Sequence, residues 1–363
     1  MKRNMRSIAA AFVAALSLAA CSVNGAPSGG AGSQGGASEG ASSSQAQLKD
    51  VSFMLYWAPD TNHIGVYVAK NKGWFEQEGL NVEILGLAQA GAEQAVNSGL
   101  TDFALSTLTN VGLYNAKGAS LKGVLQVQQK PSAIWCALES NKAIASPKDF
   151  DGKTFATFGS SESDAVIRQM IRTDGGRGIF DTVTVGTSTF NALTSGRADF
   201  GGFYDTWEGV QSRLNDPELT CFSEPEYGVP GNADSISIIT NENMIERDPH
   251  TVKAFVSAAQ RGYEYAYAHP DEAAQILVEE AAQANLDPQF VRESMAYIVD
   301  GEYWGDREAI EQGSFTLGST DTGGVQSYLD FLTRAGAIEG PNGEPMDAAP
   351  DVVSIATDEF IHR

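Results

Sequence analysis

The chain has 363 residues, 42% hydrophobic and 19% charged, the composition of an ordinary globular protein with room for two domains at roughly 100 to 200 residues each. Its 46 acidic against 24 basic side chains give a formal charge of −22, which repels nucleic-acid phosphates and anionic headgroups and argues against a DNA or RNA binder. Three cysteines, with no C-x-x-C pair and no His/Cys cluster at ligand spacing, argue against a disulfide scaffold and against structural zinc.

At the start of the chain Lys2, Arg3 and Arg6 precede an apolar run from Ile8 to Ala20. At about thirteen residues the run has signal-peptide length and is too short to span a bilayer. It closes on Leu18-Ala19-Ala20-Cys21, which resembles the lipobox of bacterial lipoproteins, so residues 1–20 are expected to be an export signal and Cys21 the acylated residue. Residues 21–47 follow as a Gly/Ser/Ala tether with one charge, Glu39. Such a coil spans roughly 25 to 30 Å and would hold a folded body just off a membrane. Loss of the first twenty residues removes three basic and no acidic side chains, leaving the body more acidic still.

From Lys49 short β-rich runs alternate with helical ones: VSFMLYW, the helix-like IGVYVAKNKGWF, NVEIL, a helix around Ala92 to Asn97, then DFALS. A second set begins near Trp135 with IWCALES, KTFATFG, a helix from Ser163 to Arg172, VTVGT, a helix around Phe190 to Ser195, ADFGGFY and a helix opening near Asp205. After SISIIT only helical patterns follow. This order predicts an α/β class with parallel sheets in two lobes. Residues 48–133 open lobe 1, residues 134–233 form lobe 2, and residues 234–363 return to lobe 1 as a strand and C-terminal helices packed on it. The sequence holds no P-loop and no repeat of 20 to 50 residues.

Open α/β sheets bind ligands beyond the carboxyl ends of their strands, so the residues after each strand are the candidates. They include Tyr56 and Trp57 with Asn62 and His63, then Thr107, then Ser160, Ser161 and Glu162, and last Tyr204, Trp207 and Glu208. Two aromatic clusters, several acids and no obvious cation suit a flat, nitrogen-rich, neutral or cationic ligand. Trp57 and Trp207 read as stacking faces or as core aromatics. Glu208 reads as a bidentate acceptor for N–H groups or as a helix-dipole residue. Ser161 and Asp164 form an S-x-x-D capping pattern, compatible with a ligand at the same helix start. His63 reads as a structural hydrogen-bonder more than a catalyst. Cys136 and Cys221 lie in β-like runs and are expected to be a disulfide or two buried thiols. No Ser-His-Asp order, H-E-x-x-H or G-x-S-x-G appears, so neither a catalytic residue nor a metal or cofactor is expected.

At LYWAPDTNHIGVYVAKNKGWFEQEGLNVEI, and again at SGLTDFALS, SPKDFDGKTFATFG, ALTSGRADFGGFYDTWEGV, EYGVP and HTVKAFVSAAQRGYEYAYAHPDEAA, the chain resembles the ThiY-like family of ABC-transporter solute-binding proteins, which bind thiamine pyrimidine precursors. The likeness covers nearly all of residues 48 to 335, and its Trp-x-x-x-x-Asn-His-x-Gly and Trp-Glu-Gly-Val segments belong to the pyrimidine-precursor branch. Tyr56 stands where that family commonly has an acidic or amide residue. The resemblance implies a two-lobed, hinged receptor of the periplasmic-binding-protein type II, with Trp57 stacking on the ligand and Glu208 holding the pyrimidine edge. It implies as partners a small heterocycle and an ABC permease, with no nucleic acid, the protein being a lipid-anchored monomer and no enzyme. The alternatives are a same-fold receptor for another planar solute, such as riboflavin or a sulfonate, and an enzyme of the pyrimidine-synthase type.

Overall fold

The computed structural model describes residues 47–215 and 217–362; the expected export signal, Cys21 and all but the last residue of the tether lie outside the described residues. Among the described residues ten strands form two five-stranded sheets. In the first the order is β2 (Leu80–Leu85), β1 (Lys49–Met54), β3 (Phe103–Thr107), β10 (Ile236–Asn241), β4 (Leu121–Gln126). In the second it is β7 (Asp181–Thr184), β6 (Thr154–Thr157), β8 (Phe200–Tyr204), β5 (Ala133–Leu138), β9 (Leu219–Ser223). Central β3 is buried along its whole length, as an apolar run covered on both faces must be, whereas edge strand β2 alternates in and out at its start.

The parallel expectation needs correcting. Strand β10 runs antiparallel to both β3 and β4, and β5 runs antiparallel to both β8 and β9. Each antiparallel strand is the one that directly follows a crossing between the sheets, so it enters its sheet against the direction set by the βα units. Strand β4 stands beyond the strands expected from the sequence, and β9 is the β-like run that holds Cys221. The run VTVGT leaves the sheet after Thr184, where its last residues close into a single turn, Gly186–Ser188.

The chain crosses between the sheets twice, at residues 127–132 and 224–235. The Asp234 carboxylate fastens the two crossings together, accepting the backbone N–H groups of Ser132 and Ala133. In lobe 2, Cys136 and Cys221 are paired across β5 and β9 and joined as a disulfide.

The C-terminal helices cover lobe 1. The Pro249–Ala268 helix, capped by Asp248, lies on the Ile64–Asn71 helix so closely that a Cβ on Gly262 would sit 1.9 Å from the Gly65 carbonyl oxygen. The Thr322–Arg334 helix packs Leu329 against Gly112 of the Leu108–Ala116 helix, which brings Tyr328 toward the space between the lobes. Since backbone cannot retreat as a flexible side chain does, Gly262→Ala is expected to destabilise the protein by about 1 to 3 kcal/mol through overpacking. Thermal melting checks this: a variant as stable as the wild type would show that the two helices are not locked at this distance.

Candidate functional site between the lobes

The strand ends of both sheets open onto one cavity of about 650 Å³, within the range of small-molecule sites. Lobe 1 contributes Tyr56 and Trp57 beyond β1. Lobe 2 contributes Trp135 from β5 and Phe158 from the loop after β6. The Trp57 and Phe158 rings meet across the mouth with centroids 5.0 Å apart. Phe158 is 47% exposed, so this contact forms a lip rather than part of a core. Beyond β8 the backbone makes a π-helical turn, Asp205–Gly209, and this turn presents Glu208 to the cavity beside Tyr204.

Five carboxylates line the cavity: Glu93, Glu162, Glu208, Glu224 and Asp234. Glu162 accepts from the Tyr328 hydroxyl at 2.8 Å, Glu224 from Trp135 Nε1 at 3.0 Å, and Glu208 from the Tyr204 backbone N–H at 3.1 Å. Glu93 accepts from Asn110 Nδ2 at 2.8 Å and from Ser106. Burial pushes Glu162 and Glu208 up to about 7 and Asp234 to about 6, and it lifts Glu224 well above the ordinary glutamate value. Burial likewise raises the Tyr56 and Tyr204 hydroxyls, with Tyr204 and Asp234 respectively as the next cause. The one basic side chain on the lining, Lys117, has its Nζ 3.0 Å from Glu339. Among the described residues no group of three or more His, Cys, Asp or Glu side chains could hold a metal ion.

Of the candidates read from the sequence, Tyr56, Trp57, Ser160, Ser161, Glu162, Tyr204 and Glu208 line this cavity. Asn62, His63, Thr107 and Trp207 do not, and each is held by another task. His63 is wholly buried, its Nδ1 2.8 Å from Asp60 Oδ1, where the two residues form a reciprocal cap at Thr61–His63. Asn62 donates to the Tyr56 hydroxyl at 3.3 Å, so it lies behind the lining. Thr107 caps the Leu108–Ala116 helix by accepting from Asn110 N. Trp207 turns away from the cavity onto Phe290, with ring centroids 4.3 Å apart. The helix cap also shifts by one residue. Ser160, not Ser161, caps the Ser161–Thr173 helix, while Ser161 donates to the Ala337 carbonyl and Asp164 lies 3.7 Å from Arg168.

Several lining residues are not among those candidates. Trp135 lies inside a strand, Glu224 and Asp234 lie in the second crossing, and Tyr328 comes from the C-terminal helices. A signal for Glu224 was present in its place directly after the run LTCFS, once that run is recognised as a strand.

The family model described as NMT1/THI5 like matches residues 60–273. A formylaminopyrimidine-binding protein of Halalkalibacterium halodurans is 28% identical over 301 residues, covering 81% of this chain and 88% of that protein. A 4-amino-5-hydroxymethyl-2-methylpyrimidine phosphate synthase of Candida albicans is 24% identical over 237 residues, covering 61% of this chain and 69% of that one. Among solved structures, the ligand-binding component of an ABC-type import system from Staphylococcus aureus superposes with a TM-score of 0.58 at 12% identity, over 86% of this chain and all of that one. That likeness shows the fold, the two-lobed arrangement of solute-binding proteins.

The carboxylates make stability depend on pH with a definite sign. Between the unfolded values, about 3.8 for the aspartate and about 4.5 for the glutamates, and the folded values, about 6 to 7, the native state binds more protons than the unfolded chain, so stability falls as pH rises through that window. The ligand-free protein is expected to melt at a lower temperature at pH 8 than at pH 5, and Glu162→Gln should flatten this dependence. Each kcal/mol lost lowers melting by roughly 2 to 4 °C in a chain of 150 to 250 residues. Melting curves across that range that stay level, or rise with pH, would contradict the assignment.

Proposed function

We propose, from the premise that the chain belongs to the NMT1/THI5-like family, that it is the receptor of an ABC importer, capturing an aminopyrimidine precursor of thiamine outside the membrane and passing it to a permease unchanged. The observation that carries this reading is a partly buried carboxyl, Glu208, in a cavity walled by Tyr56, Trp57 and Tyr204. A flat heterocycle gains apolar burial and offset stacking from such walls. An aminopyrimidine edge offers an N–H donor beside a ring-nitrogen acceptor, and a carboxyl pushed up to about 7 matches it with one proton between the two partners. Whether the proton sits on the ring or on the carboxyl, the pair makes two hydrogen bonds with charge assistance in the ionised form.

Glu208→Ala removes both bonds. Affinity for 4-amino-5-hydroxymethyl-2-methylpyrimidine should fall by about ten- to a hundredfold, the equivalent of about 1.5 to 3 kcal/mol. Calorimetric titration measures this, and unchanged affinity would take Glu208 out of the site. Recovery of the bound pyrimidine at its original mass separates a receptor from a synthase; a new mass after incubation would favour the enzyme.

The reading places the receptor on the outer face of a membrane, tethered by a lipid on Cys21. Cys21→Ser is then expected to release the protein from the membrane fraction. Retention of that variant in washed membranes would overturn the anchor.

A further inference from the structure

One face of a lobe 1 helix holds three consecutive residues of lobe 2, and the residue that follows them is Glu208. On the Pro288–Asp300 helix Phe290, Ser294 and Tyr297 stand at i, i+4 and i+7 and so share a face, while Val291, Met295 and Ile298 belong to the lobe 1 core. Phe290 packs on Trp207 with ring centroids 4.3 Å apart. Ser294 Oγ donates to the Thr206 carbonyl at 2.6 Å, and the Tyr297 hydroxyl donates to Asp205 Oδ2.

These contacts are backed on both sides. A serine hydroxyl has one proton, and that of Ser294 goes to a carbonyl, so Thr61 is the donor in the 2.8 Å bond between Thr61 Oγ1 and Ser294 Oγ. Thr61, Ser294 and Thr206 are all buried. On the lobe 2 side Arg213 donates to Asp205 Oδ1 at 2.6 Å and to the Asp205 carbonyl at 3.1 Å, and it lies 4.4 Å over the Tyr297 ring. Each oxygen of the Asp205 carboxylate is thus held from a different lobe.

Glu208 takes its direction from the turn that these residues begin. Its Oε2 accepts from the Tyr204 N–H, four residues back across the π-helical turn Asp205–Gly209. Such turns are rare and occur frequently at functional sites. With Asp205, Thr206 and Trp207 each fixed by a partner on lobe 1, the turn is opposed from rewinding to a regular helical start, which would re-aim the acid.

We propose, resting on the receptor reading above, that Ser294 and Tyr297 are positioning residues for the ligand. Neither lines the cavity. By holding Thr206 and Asp205 they keep the turn that aims Glu208 at the ring edge, so the orientation of a lobe 2 acid is set from lobe 1. Because the contacts run between lobes, they form as the lobes come together, and Glu208 is presented in the same step. Contacts that only latched the lobes would favour the closed form equally whatever residue stood at 208.

That difference is the basis of the test, a double-mutant cycle on the full-length protein titrated calorimetrically with 4-amino-5-hydroxymethyl-2-methylpyrimidine. Tyr297→Phe removes the hydroxyl and keeps the ring beneath Arg213 and beside Tyr303; Ser294→Ala removes the other donor and decides the matter if Tyr297→Phe does not fold. Each should bind the pyrimidine about three- to tenfold more weakly than the wild type, the worth of one hydrogen bond. In a Glu208→Ala background the same substitutions should weaken binding by less than about twofold, since the acid they aim is gone. Losses that multiply in full with that of Glu208→Ala would reveal a latch indifferent to Glu208 and overturn the positioning role, as would unchanged affinity in both single variants. Failure of the wild type to bind the pyrimidine would instead overturn the receptor reading on which the role rests.

Discussion

The arrangement of the two lobes rests on one carboxylate. Asp234 sits in the second crossing and accepts the N–H groups of Ser132 and Ala133, where the first crossing becomes β5. These N–H groups face away from any sheet partner at the point where the chain changes lobes, and a buried donor left unpaired is costly. Satisfying them with a side chain from the other crossing joins two segments that are about a hundred residues apart in sequence. The same geometry sets the start of β5, and with it Trp135 and the strand that carries Cys136. Around it, Gln126 donates to the Gln128 carbonyl, and Asn232 donates to that same carbonyl from the other crossing. The hinge is thus a polar structure with its backbone groups answered locally.

A second set of contacts joins the lobes away from the cavity. Tyr297 and Ser294, on the Pro288–Asp300 helix of lobe 1, donate to the Asp205 carboxylate and the Thr206 carbonyl of lobe 2, and Arg213 lies over the Tyr297 ring. Trp207 on Phe290 belongs to this set. All of them engage the short segment that carries Glu208. The π-helical turn explains the division: one extra residue in the turn lets Glu208 face the cavity while Trp207, one position earlier, faces the neighbouring lobe. A regular helical start would place the two side chains at a different angle.

The sequence makes legible what is local. The α/β alternation, the two lobes, the aromatic pair after β1 and the acid after β8 follow from runs of apolar residues and from what stands at their ends. What it hides is set by distance along the chain. Nothing in LKGVLQ distinguishes a strand from a loop until neighbours cover it, so β4 emerges only from packing, and the β-like LTCFS finds its partner β5 only in the fold. Glu224, Asp234 and Tyr328 reach the cavity because two crossings and a C-terminal helix converge there, which no spacing rule predicts. His63 and Trp207 show the structural one of the two roles that the sequence leaves open for each. Each stands in the short helical turn that follows a strand, and both are engaged by packing: one by a cap with Asp60, the other by Phe290.

The balance of forces across the cleft is then uneven in an informative way. The mouth closes through Trp57 and Phe158, the far side through Tyr297, Ser294 and Trp207, and none of these contacts involves a ligand. Between them lie carboxylates that burial holds partly protonated. Closing the lobes on an empty cavity removes water from those acids and strengthens their repulsion, because the local dielectric falls. Closing them on a heterocycle with donor groups replaces that water with fixed partners. A ligand's preference for the closed lobes then combines the donors it brings to these acids with the area it buries against Tyr56, Trp57 and Tyr204.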